Sequence, residues 1–104
     1  MVKIGQPFTS GSWIVATGKE DAFVTRWTEF VEWSHVNARG AGSFLLLRDV
    51  AQPNRFTSFA PWESEDAVDV WRGRPEFEEL LGRCRELCED FSGTDHVLAA
   101  AVGS

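Results

Sequence analysis

The spacing of apolar residues changes several times along the chain, and each change marks an element. Trp13-Ile14-Val15-Ala16 is an unbroken apolar run, the pattern of a short strand covered on both faces. Beyond it Phe23, Trp27, Phe30, Val31 and Ser34 recur at helical spacing, while Glu20, Asp21, Arg26, Glu29 and Glu32 fall on the other side. A helix is therefore expected from near Gly18 to about Val36, with Thr17 as its cap and Glu20 reaching back in a capping box. The glycines of NARGAG close it, and Phe44-Leu45-Leu46-Leu47 opens a strand running on to Val50. AQPN turns the chain, and residues 55–61 return as the next strand. Ser64 is an N-cap, with Glu65 and Asp66 in the first turn where they suit the helix dipole. Gly73 and Pro75 break this helix after Trp71, and Pro75 fits the first position of another. Phe77, Leu80, Leu81, Cys84, Leu87, Cys88 and Phe91 predict a third helix as long as that stripe. SGTD ends it, and residues 96–102 read as a last strand because seven residues make a poor isolated helix.

The order strand, helix, strand, strand, helix pair, strand is the ferredoxin-like split βαβ, an α+β fold with its helices on one face of a four-stranded antiparallel sheet. The runs WIVA, FLLL and VLAAAV are apolar on both sides, so the other face also needs a cover. A second copy supplies one through a two-fold axis, and a homodimer packed sheet against sheet is expected.

Length and charge narrow the partners. At 104 residues the chain is read as one domain, 1–104, with its core between about 12 and 102. Sixteen acidic against ten basic residues, a net charge of −6, exclude nucleic acid and an anionic membrane surface as partners. The start MVKIGQPFTSGS lacks the apolar run of a signal peptide, and no stretch is long enough to cross a bilayer, so a cytoplasmic protein is expected. Cys84 and Cys88, four apart on a helical stripe, read as reduced, buried thiols. A lone C-x-x-x-C, with His35 and His96 far away in sequence, is too few ligands for a metal.

The segment W-E-S-E-D-A-x-x-x-W-x-x-x-P-E-F, residues 62–77, together with SWIVATGKEDAFVTRWTEF before it, resembles the antibiotic biosynthesis monooxygenase domain family. The resemblance implies a dimeric α/β barrel with a pocket in each subunit between sheet and helices. Family members include oxygenases that need no metal or flavin, and haem-degrading enzymes. Trp62 matches the tryptophan at the third strand's end in the anthrone oxygenase type, but Ser58 stands for its Asn and Val68 for its Tyr. With no Tyr anywhere in the chain, a phenol-dependent step is lost. Trp71 matches the tryptophan of the haem-degrading type, but Leu81 stands where the axial His should be and Gly11 or Ser12 where its Asn should be. Haem thus loses its ligand, and no cofactor is expected.

Oxidation without a cofactor needs a base to deprotonate the substrate and a place for the resulting negative charge. His35, at the end of the first helix, and Arg48, following an apolar run, are the candidates for these two tasks. Each also has a plain structural reading, His35 beside the helix's terminal carbonyls and Arg48 in an ion pair at a dimer edge. His96 reads as an ordinary strand-end residue. Ser58 shares a strand face with Phe56, Ala60 and Trp62, and with Trp27, Phe30 and Trp71 these form the expected substrate pocket. The expected function is a cofactor-independent oxygenase acting on a small aromatic or polyketide-like molecule. The alternatives are a non-catalytic binding or stress-related dimer of the same fold, and a pocket filled by Trp27, Trp33 and Phe56 that holds nothing.

Overall fold

The computed structural model describes residues 2–103. Four strands and three helices follow in the order β1 (Pro7–Val15), α1 (Glu20–Asn37), β2 (Leu45–Arg48), β3 (Arg55–Pro61), α2 (Glu65–Arg72), α3 (Pro75–Arg85) and β4 (Cys88–Val97). The strands form one antiparallel sheet in the order β2-β3-β1-β4. This is the expected α+β arrangement, with all three helices on one face.

Several boundaries differ from the sequence expectation. The helix α1 starts two residues late and without a capping box: Gly18 turns the chain at φ +92°, leaving Thr17 outside. Glu20 reaches back, but accepts from the Gly18 N–H (2.8 Å), and Lys19 occupies the cap position with no side-chain bond. Ser64 caps α2 as expected, its Oγ accepting from Ala67 N–H at 3.1 Å, and Pro75 opens α3. The strand β1 begins six residues earlier than Trp13, and β2 ends at Arg48 rather than Val50.

The largest correction concerns the last third of the chain. The helix α3 stops at Arg85, and the strand expected over 96–102 is displaced upstream to Cys88–Val97. Cys88 and Phe91 therefore belong to β4, where Phe91 pairs with Trp13. The apolar spacing there satisfies a helix, but pairing with the whole length of β1 outweighs local periodicity. Beyond β4, Leu98 still donates to Gln6 C=O (2.9 Å), whereas residues 99–103 are exposed and outside regular structure.

The sheet's alternation sorts the core. Thr9, Gly11, Trp13 and Val15 of β1 face the helices, as do Phe56, Ser58 and Ala60 of β3. Two aromatic networks fill the space above them. Trp13, Phe23, Phe56 and Phe91 form one, with centroids 4.2–5.1 Å apart. Phe30, Phe44, Trp62, Trp71 and Phe77 form the other, at 4.7–6.1 Å. Among the described residues no ring pair joins the two.

Candidate functional site

The gap between the two aromatic networks is a cavity of about 360 Å³ under the helices. Thr9, Gly11, Ser58 and Ala60 contribute its floor, while Trp13 and Phe91 on one side and Phe30, Trp71 and Phe77 on the other provide apolar walls. Trp27 and Leu81 complete the lining from the helices. The lining is thus mostly apolar with a few polar groups, the general make-up of small-molecule pockets.

The floor is polar in a particular way. The Trp13 indole donates to Ser58 Oγ (3.0 Å), and the Trp62 indole donates to Thr9 Oγ1 (2.9 Å). Gly11 makes the first of these possible: a Cβ there would lie 2.8 Å from both Ser58 Oγ and Trp13 Nε1. A third tryptophan, Trp71, donates to Ser34 Oγ (2.9 Å), which itself donates to Phe30 C=O (2.8 Å). Each of these N–H groups therefore enters the core with a partner, as burial requires.

Arg72 at the end of α2 and Asp95 of β4 are the charged residues of the lining, and they pair bidentately at 2.9 and 2.6 Å. The hydrogen bond from Arg72 holds the Asp95 carboxyl below its ordinary range, although some burial works against it. The same bond raises Arg72. Asp95 is thus kept ionised and engaged, which makes it a poor proton acceptor. Away from the cavity both cysteines are free, and burial pushes Cys84 up to about 12 and Cys88 up to about 11. They are unreactive thiols at neutral pH.

Residues 12–83, more than half of the chain, match the family model described as antibiotic biosynthesis monooxygenase. The chain belongs to this family. Its fold is that of SnoaB, a cofactor-independent oxygenase from Streptomyces nogalater, with a TM-score of 0.86, 16% identity, and coverage of 96% of this chain and 99% of SnoaB. A candidate antibiotic biosynthesis monooxygenase from Bordetella bronchiseptica superposes at a TM-score of 0.79 with 22% identity, covering 92% of this chain and 99% of that one. Another from Nitrosomonas europaea gives 0.81 and 15%, covering 99% of both chains. No functionally curated protein matches the chain in sequence.

Within this family fold, Ser58, Trp27, Phe30 and Trp71 all line the cavity. Trp62 does not join them. It is fully buried behind the wall, 4.7 Å from Trp71 and edge-on to Phe44, and its indole N–H bonds to Thr9 on the cavity floor. Phe56 is also set back, packed on Phe23 at 5.0 Å beneath the Arg48 guanidinium. Arg48 is outside the cavity, its Nε donating to Pro53 C=O (2.7 Å) across the β2–β3 turn. His35 is exposed on α1 and forms no part of the lining either. His96 points to the sheet's other face, where its Nε2 is 2.8 Å from Ser10 Oγ.

Thr9, Arg72 and Asp95 escaped the sequence reading because the elements carrying two of them were misplaced. Thr9 preceded the expected start of β1, and Asp95 fell in the expected turn before the last strand. The donor set also bears on haem, which some members of this family degrade. Leu81 lines the cavity, and among the described residues no His or Cys does, so these residues do not fit a haem iron. Among the described residues, no three His, Cys, Asp or Glu side chains come together as a metal site, and no helix is long and apolar enough to cross a membrane.

Proposed function

We propose that the cavity binds a small, flat aromatic or polyketide-like molecule and that the protein oxidises it with molecular oxygen, without metal or flavin, as a homodimer. The observation that carries this reading is the aromatic-walled cavity of about 360 Å³ with hydroxyls on its floor, on the fold of a cofactor-independent oxygenase. Such a reaction needs a substrate whose own anion gives an electron to oxygen. The protein's part is then to hold the ring, exclude water and settle the negative charge.

One observation favours the second reading, a binding protein without catalysis. Asp95 is tied to Arg72 and both imidazoles lie elsewhere, so among the described residues no free base lines the cavity. A substrate acidic enough to lose its proton to solvent satisfies the first reading, and any flat ring satisfies the second.

Oxygen consumption with a panel of hydroxyanthrones and hydroquinones separates the two. Uptake above the uncatalysed rate, with oxygen entering the product, is expected for the oxygenase. Quenching of tryptophan fluorescence by the same compounds with no uptake would replace it by the binding protein, and neither response would overturn both.

A further inference from the structure

A hydroxyl group carries one proton and two lone pairs, so its role depends on which of these its neighbours use. Three indoles donate to hydroxyls in this core, and the three pairs are not alike. Ser34 accepts from Trp71 and passes its own proton to Phe30 C=O, so its hydrogen bonding is internal. Ser58 accepts from Trp13 and Thr9 accepts from Trp62, but among the described residues neither hydroxyl proton has an acceptor. These two are the ones on the cavity. The indole fixes each oxygen and uses one lone pair, leaving the proton and the second lone pair to face the cavity. Donation from the indole also polarises the O–H and strengthens it as a donor.

Their placement follows from the sheet register. Thr9 pairs with Ala60 and Gly11 with Ser58, so Thr9 and Ser58 are diagonal neighbours on the helix-facing side. Diagonal positions are about 7–8 Å apart along the backbone, so the two hydroxyls can meet separate oxygens of one ligand. Between and beside them Gly11 faces Gly93 across β1 and β4, so no side chain covers the floor there. Among the described residues the cation of the lining is Arg72, already engaged by Asp95.

We propose that Thr9 and Ser58 are paired hydroxyl donors that read two acceptor oxygens on the ligand, so the cavity selects a ring system bearing a diketone or hydroxyketone over the oxygen-free ring. This rests on the cavity reading above and adds the specificity-determining residues to it.

Two ligands of nearly equal shape test it, 1,4-naphthoquinone and naphthalene, with affinities measured by equilibrium dialysis for the native chain, Thr9→Val, Ser58→Ala and Thr9→Ser. Thr9→Val and Ser58→Ala should each weaken the quinone about 2- to 10-fold, the range covered by one neutral hydrogen bond, and leave naphthalene within about twofold. Thr9→Ser, which keeps the hydroxyl, should behave as the native chain. Equal losses for both ligands, or no loss for the quinone, would overturn the donor pair while leaving the cavity a binding site. A native chain that binds neither ligand overturns the cavity reading as well. Should Thr9→Val fail to fold with the Trp62 N–H stranded, Ser58→Ala decides by the same comparison.

Discussion

A buried tryptophan brings one polar atom into the core with its large apolar surface, and the cost of that atom depends on a single partner. The Trp71 indole has only Ser34, which is itself fully buried. Ser34→Ala removes the acceptor and leaves the N–H with no route to water. It also removes the bond to Phe30 C=O. We expect a loss of about 1–3 kcal/mol, read as a lower urea midpoint with an unchanged slope. Ser34→Thr, which keeps the oxygen, should recover part of it. At this scale the sequence marked the aromatic residues as core or pocket lining but not what the indoles would bond. Ser34 was recognisable as a member of the helical stripe. Its partner is 37 residues away, and the partners of Trp62 and Trp13 are 53 and 45 away, so only the assembled fold brings them together. The same limit hid the placement of Trp62, which stands behind Thr9 and outside the cavity lining.

Elements with strong local signals were legible, and those held by pairing were not. Ser64 as the cap of α2, Pro75 as the start of α3, and β3 over Arg55–Pro61 all follow from residues within one turn or one alternation. The boundary between α3 and β4 has no such signal, because Cys84, Leu87, Cys88 and Phe91 satisfy a helix and a helix-to-strand passage equally well. Pairing with β1 decides between them, and it carries Asp95 to the cavity's mouth beside Arg72. That pair links the end of α2 to β4 and is the candidate site's own pH-dependent contact. The carboxyl pKa is lowered in the folded state, so its contribution is fully present above the unfolded value and disappears as pH falls through the folded one. Because the Asp95 side chain is 63% exposed, water screens the pair, and Asp95→Asn should cost no more than about 1 kcal/mol at neutral pH. The difference between native and variant stability should close on the acid side of the ordinary carboxyl value of 3.8. A constant difference down to pH 2 would show that the substitution acts through packing instead.

On the scale of the whole molecule, the helices and the cavity use one face of the sheet and leave the other open. That face carries Phe8 and Ile14 of β1, Leu45 and Leu47 of β2, and Phe59 of β3, among Ser and Thr side chains. Leu45 and Leu47 are 48% and 54% exposed. Charge is distributed to match: of sixteen acidic residues in a chain of net charge −6, the paired positions of this face hold only Asp90, near one end. An acidic surface repels its own copy except where the acids are missing, so this face is where a second copy can approach. The homodimer proposed for the protein therefore requires Leu47 to become buried, each copy contributing about 1 kcal/mol because roughly half of the side chain is already covered. Two-fold symmetry makes every substitution there count twice. Leu47→Glu should convert a dimer into a monomer in sedimentation velocity at micromolar concentration, with no change in far-ultraviolet circular dichroism. Cavity ligands should still bind the monomer, since Leu47 is on the opposite face from Thr9 and Ser58. A native chain that sediments as a monomer would overturn the dimer, and its open face would then be a surface that solvent tolerates through the hydroxyls of Ser10, Ser12, Thr57 and Thr94.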